Sequence, residues 1–137
     1  MLESPLLKNS LGYIDGSWCG ADSGKTMPVT NPATGETLAV VPVMGKAETN
    51  RAVDAAATAL LNPASIEQRS LWLSQLGDLV TQHREELGRI ITHEHGKPWK
   101  EAQGEADYAA SFFRFYSTCI EHLRPKQLPV RPKDHSW

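Results

Sequence analysis

Apolar and polar positions change rhythm once along this chain, near Gly45. Upstream, short apolar pieces alternate with turn residues. "GYIDGSW" sets Tyr13, Ile14 and Trp18 around Asp15-Gly16, a dipeptide that favours a hairpin turn. "GADSGKT", residues 20–26, reads as a second turn. "TMPVTNP" is a short extended piece whose Pro28 and Pro32 confine it to an edge or a strand end. After the polar turn "NPATGE", the uncharged "TLAVVPV" at residues 37–43 reads as another strand. Two or three short antiparallel strands are expected between residues 13 and 43, too few to make a core of their own.

Downstream the period is helical. "KAETNRAVDAAATALL" gathers Ala52, Val53, Ala56, Ala59 and Leu60 on one face, and Asn62-Pro63 stops it. Ser65 opens the next helix with Gln68 three residues on, a capping-box spacing. Leu73, Leu76, Leu79 and Val80 follow at helical intervals. The pattern resumes with Leu87, Ile90 and Ile91 and closes at Gly96, placed as a left-handed cap before Lys97-Pro98. A last helix is predicted from Trp99 to Leu123. Its stripe runs Ala102, Ala106, Ala109, Phe113, Tyr116, Ile120 and Leu123. Small residues in the first half allow close approach to a neighbour, and large ones in the second half fill a wider gap, with Phe113 and Tyr116 in the core. Helices are thus expected from residue 46 to 123. Residues 126–137 look extended, and residues 1–10 read as a flexible N-terminus.

Composition narrows the class. The chain has 137 residues, 40% hydrophobic and 22% charged, the profile of one globular domain. A net charge of −2 without a basic run argues against nucleic acid, and no apolar run reaches the roughly 20 residues of a membrane span. No signal or mitochondrial presequence is evident at the N-terminus. Cys19 and Cys119 read as thiols in a reducing, cytoplasmic compartment.

The stretch "ITHEHGKPWKEAQGEADYAASFFRFY" concentrates the candidate chemistry. Its consecutive His93, Glu94 and His95 point about 100° apart on a helix and cannot converge on one ion, which needs i, i+3 or i, i+4 spacing. Glu101 and Glu105 are like-charged i, i+4 neighbours in the first turns of a helix, where carboxylates favour the macrodipole. Cys19 has no predicted base or helix N-terminus beside it. The Gly-Lys-Thr of "GADSGKT" lacks both the glycine spacing of a phosphate loop and a following helix. The residues alone give a helical layer with a small β appendage and no complete active site.

"IDGSW", "NPATGE", "VPVMGKAETNRAVDAA", "HGKP" and "EAQGEADYAASFFRFY" occur in the order and spacing of the N-terminal region of the NAD(P)-dependent aldehyde dehydrogenase superfamily. "VPVMGKAET" and "GEADYAASF" look most like its succinate-semialdehyde branch. The resemblance covers roughly residues 11–125. It implies an α/β family fold of which this chain holds the N-terminal section: short antiparallel strands, about four α-helices, and a final extended segment. Residues 126–137 resemble the first strand of the family's oligomerisation ribbon, which implies a homo-oligomer. The family's oxyanion asparagine, cofactor-phosphate loop, general-base glutamate and nucleophilic cysteine have no counterpart here. Cys19 and Cys119 stand outside its cysteine motif. No catalytic or NAD(P)-binding residue is therefore expected in this chain, and the C-terminal cofactor and catalytic domains are its implied partners.

One ligand set carries over. In several family members backbone carbonyls before the Asn-Pro turn and a helical aspartate hold a monovalent cation; the matching residues are Val29, Thr30 and Asp107. Asp107 also reads as an ordinary helix-surface carboxylate. Two functional readings follow: the N-terminal section of a semialdehyde-oxidising dehydrogenase, or a non-catalytic helical interaction module that reuses this section. The first should leave an apolar helix face uncovered and prone to self-association, and the second should present a polar outer face.

Overall fold

In the computed structural model, residues 3–7, 10–119 and 122 are described. The upstream segment forms four strands in two separate ribbons, one strand more than the pattern suggested. Strand β1 (Gly12–Ile14) pairs antiparallel with β2 (Ser17–Cys19) in the register Tyr13↔Trp18. Asp15 and Gly16 turn the chain at φ 48° and 77°; both central residues of this hairpin turn need positive φ, the reason Asp-Gly marks it. The Tyr13 and Trp18 rings meet edge-on at 5.0 Å.

Strand β3 (Thr26–Thr30) pairs antiparallel with β4 (Thr37–Pro42), and the register slips between Val29 and Thr30. Asn31 shapes the turn between them. Its side-chain Oδ1 accepts from the Ala33 N–H at 2.9 Å, and its carbonyl accepts from the Gly35 N–H at 2.8 Å. Pro28 is tolerated because a two-stranded ribbon leaves the far edge of β3 without a ladder to donate to.

Four helices follow: α1 (Lys46–Ala59), α2 (Ile66–Gln82), α3 (Arg84–His95) and α4 (Trp99–Thr118). Ser65 Oγ accepts from the Gln68 N–H at 3.1 Å, as its capping spacing predicted. His83, at φ −99° and ψ 17°, divides α2 from α3. Gly96 closes α3 at φ 77°, and a Cβ there would also sit 3.0 Å from Pro32 Cγ, so the cap fixes where the β3–β4 turn meets the helices. None of these helices is long and apolar enough to cross a membrane, among the described residues.

Helix α4 packs along α2 and α3 through its smallest residues. Ala102, Ala106 and Ala110 are buried, as is Gly77 of α2 and Gly88 of α3. A Cβ on Gly88 would stand 3.0 Å from Gln103 Cγ and 3.3 Å from the Gln103 backbone N; one on Gly77 would stand 3.4 Å from the Ala110 carbonyl. Backbones this close leave no room for larger side chains. Further along, Ser70 Oγ of α2 donates to the Ser117 carbonyl at 2.6 Å. The dense stretch from Ile91 to Tyr116 is thus a helix seam.

The seam departs from the predicted stripe in phase. Alternating steps of four and three average 3.5 residues, whereas an α-helix turns in 3.6, a drift of about 20° per heptad. Two heptads after Ala102 the stripe is about 40° out, so Tyr116 leaves the seam and Ser117 enters it; Ala110, two steps of four from Ala102, is buried where Ala109 is half-buried. Phe113 is half-buried, and Tyr116, predicted as core, is 57% exposed. The face predicted on α1 shifts likewise. Glu48 is buried and Ala52 and Ala55 are half-buried, while Val53, Ala56, Ala59 and Leu60 stay exposed. Helix α4 closes with the Cys119 N–H donating to the Tyr116 carbonyl at 3.2 Å. Ile120, Leu123 and the predicted strand at 126–137 lie outside the described residues. Near the N-terminus Pro5–Leu7 form a 3-10 turn, and Arg89 donates to the Glu3 carbonyl and to Glu86.

Three glycine substitutions separate these causes in urea unfolding. Gly88→Val should destabilise by about 2 kcal/mol or more, because its side chain meets the Gln103 backbone as well as Gln103 Cγ. Gly96→Ala should cost roughly 1–2 kcal/mol for its left-handed φ. Gly104, in mid-α4 with open space around its Cα, should stabilise by up to about 1 kcal/mol on Gly104→Ala. A Gly88→Val chain as stable as the parent would mean that α3 and α4 are not in contact.

Candidate functional site

Glu48 is the one buried charged residue among those described, and it organises the junction between strands and helices. It stands third in α1 after Gly45, the position from which a glutamate can reach back to its own helix start. Its Oε2 accepts from the Gly45 N–H at 2.9 Å, and its Oε1 accepts from the Asp22 N–H at 2.6 Å. One carboxylate thus ties the β2–β3 connection to the β4–α1 connection. The Asp22 amide is the main cause that holds the Glu48 carboxyl below the usual glutamate range, followed by the Glu48 amide, with burial opposing. Arg51, one turn on, makes a two-pronged pair with Asp22 at 2.6 and 2.9 Å. That guanidinium draws the Asp22 carboxyl down, and Asp22 in turn raises Arg51.

Between this junction and the first hairpin lies an open groove of about 510 Å³, lined by Ser17, Cys19, Arg51, Asp54 and Thr58 among others. Its chemistry is sparse. Cys19 is a free, half-buried thiol with no histidine in the lining. Arg51 is engaged by Asp22, and Asp15 and Asp54 add negative charge to the walls. A dinucleotide needs amide-rich glycine turns and free cations for its phosphates, so these residues do not fit NAD(P).

His93 is half-buried and Glu94 and His95 are exposed at the end of α3, and no group of three or more His, Cys, Asp or Glu suited to a metal ion occurs among the described residues. Glu105 pairs with Lys97, which pulls its carboxyl below the usual range and offsets the like charge of Glu101 one turn before it. Asp107 accepts from Arg84 Nε at 2.7 Å. Val29 and Thr30 sit in β3 at the register slip. The one local signal overlooked in the sequence is the glutamate at the third position of α1; the pairs Arg51–Asp22, Arg84–Asp107 and Arg114–Asp78 join residues 23 or more apart and had no local signal.

Large apolar side chains are exposed on both helices: Trp72, Leu76 and Leu79 of α2 and Phe112, Phe115 and Tyr116 of α4.

Comparison with known proteins gives one consistent likeness. Residues 18–137 match the model of the aldehyde dehydrogenase family. The chain is 40% identical over 137 residues to a glutarate-semialdehyde dehydrogenase of Pseudomonas putida, covering 97% of this chain and 28% of the relative. It is 43% identical over 125 residues to an NADP-dependent succinate-semialdehyde dehydrogenase of Escherichia coli, covering 88% of this chain and 26% of the relative. Among solved structures, an oxidoreductase from Marinobacter aquaeolei superposes with a TM-score of 0.88 at 49% identity, over 98% of this chain and 29% of that one. A succinate-semialdehyde dehydrogenase from Burkholderia pseudomallei superposes with a TM-score of 0.84 at 39% identity, over 96% and 28%. The chain spans a little over a quarter of the length of the relatives it matches.

The junction makes stability pH-dependent with a definite sign. Glu48, Asp22 and Glu105 all have folded carboxyls below their ordinary values. Their contribution is present above the ordinary carboxylate pKa of about 4 and is lost as pH falls through the lower folded values. Glu48→Gln should lower the melting temperature at pH 7 and flatten the fall in stability on acidification below about pH 4. Parallel acid limbs for parent and variant in thermal melts would remove Glu48 from that role.

Proposed function

The chain belongs to the aldehyde dehydrogenase family, and on that premise we propose that it serves as the N-terminal section of an NAD(P)-dependent semialdehyde dehydrogenase. The whole protein would oxidise an aldehyde such as succinate semialdehyde to the carboxylate. The observation that carries this reading is the pairing of a family backbone with exposed large apolar side chains on α2 and α4. The nucleophile, base and cofactor site belong to the remaining three quarters of the family's length, and the assembled protein would be a cytoplasmic homo-oligomer that keeps Cys19 and Cys119 as thiols. This chain's own share is positional. The Gly–Ala seam and the Glu48 junction give the catalytic part a stiff surface to be built on.

We propose a second, smaller role for the carbonyls of Val29 and Thr30 and the carboxylate of Asp107 as ligands of a monovalent cation. The donors are hard oxygens, which suit such an ion. Arg84 competes for the same carboxylate and must turn aside for the ion to bind.

A chimera tests the main reading. The 137-residue chain alone should form no NADH or NADPH from succinate or glutarate semialdehyde. Replacing the matching section of the E. coli enzyme with this chain should give a folded protein that forms NADPH. Turnover by the chain alone, abolished on Cys19→Ala or Cys119→Ala, would overturn it, as would a folded but inactive chimera. For the cation, potassium chloride should raise the chimera's melting temperature above that in choline chloride at equal ionic strength. Asp107→Asn should remove the difference; an equal rise in that variant counts against the ligand set.

A further inference from the structure

Side chains alternate across a strand, and residues paired across a ladder share a face. Gly12, Ile14, Ser17 and Cys19 therefore form the inner face of the first hairpin, and Tyr13 and Trp18 the outer one. The inner face stands off from α1. The open groove of about 510 Å³ lies between them, with Ile14, Ser17 and Cys19 on one wall and Arg51, Asp54 and Thr58 on the other. At the Gly12 end a methionine closes the gap. A Cβ on Gly12 would overlap Met44 Cε and stand 3.7 Å from Met44 Sδ. Gly12 is not among the glycines with positive φ, so what it supplies is room, and the Met44 methyl takes that room.

The backbone on either side of Met44 is fixed. The Val43 N–H donates to the Lys25 carbonyl at 2.9 Å, and the Gly45 N–H donates to Glu48 Oε2 at 2.9 Å. Glu48 and Arg51 also hold Asp22, three residues past the end of β2. A half-buried thioether thus fastens the strand that enters the hairpin, and a carboxylate junction fastens the strand that leaves it.

We infer that Met44 is a redox-sensitive latch: oxidation of its thioether frees β1, and the hairpin swings about the Asp22 junction to open the groove. Hydrogen peroxide supplies the oxygen. The sulfur lone pair bonds one peroxide oxygen, the O–O bond breaks, and the other oxygen leaves as water with both protons. Sulfur loses two electrons and the peroxide gains them; a thiol-dependent reductase resets the latch. The sulfoxide is bulkier and polar, so it cannot keep a dry contact on the bare Cα of Gly12. A two-stranded hairpin has little stability of its own, so the loss of one fastening is felt there first. Helices α2, α3 and α4 contain no methionine, so the same oxidant leaves their seam intact.

Hydrogen exchange followed by peptide mass spectrometry reads the latch. The chain is treated with hydrogen peroxide in a Cys19→Ala, Cys119→Ala background, so that no thiol is oxidised. Met27, 51% exposed on β3, is the internal control. Once Met44 is a sulfoxide, the amides of residues 12–19 should exchange about tenfold faster, while those of residues 102–110 keep their rate. Met44→Leu keeps an apolar contact without sulfur and should hold residues 12–19 protected under the same peroxide. Met27→Leu should leave the response unchanged. Met44→Gln, which sets a polar amide at the latch, should show the fast exchange without peroxide. Protection of residues 12–19 that survives oxidation of Met44 overturns the latch. So does an equal loss of protection in Met44→Leu, or faster exchange that extends over residues 102–110 and marks a general destabilisation. A Met44 that stays reduced while Met27 is fully oxidised overturns it as well, because the sulfur is then out of the oxidant's reach.

Discussion

The distance at which α4 crosses α2 and α3 governs the rest of this structure. Gly88 and Gly77 leave no side chain between the backbones, and Ala102, Ala106 and Ala110 answer them with methyl groups. Close backbones maximise dispersion contacts along the seam but bury little apolar area per residue. The large side chains of these helices are displaced to the flanks. A tight seam therefore implies exposed aromatics. The same choice that makes the helix layer stiff leaves it short of a hydrophobic core.

The strands reach this layer through polar atoms. Each ribbon has two strands and no sheet to lean on, so their positions depend on the connections. Glu48 accepts from the amides of Asp22 and Gly45, and Arg51 holds the Asp22 carboxylate. Satisfying two backbone amides with one carboxylate keeps its burial from becoming a penalty. Gly96 against Pro32 supplies the other fixed point, at the far turn of the second ribbon. The appendage is held by caps and hydrogen bonds, while the helices are held chiefly by packing.

Arg114 with Asp78 and Arg84 with Asp107 bridge from α4 to α2 and α3, and Lys97 with Glu105 ties the start of α4 to the turn before it. Exposed ion pairs of this kind add little to stability.

Much of the fold was legible from local rules. Asp15-Gly16 required positive φ at two residues, Ser65 offered an oxygen to a helix start, and Gly96 suited a left-handed cap; each follows from a few neighbouring atoms. The small residues of α4 likewise announced a close approach. Motifs spread along the chain carried the family resemblance, while the cation ligands Val29, Thr30 and Asp107 came only by analogy. Tertiary structure alone decided the rest. Which line of α4 is buried depended on a drift of about 20° per heptad that the apolar pattern does not resolve, and it exchanged Tyr116 for Ser117. That Glu48 would be buried depended on Asp22, 26 residues away, presenting an amide to it. That Asp107 would face Arg84, and Asp78 would face Arg114, depended on how three helices lie together. A sequence states what each residue can do within a turn or two of itself; which distant atom completes it is fixed only when the elements meet.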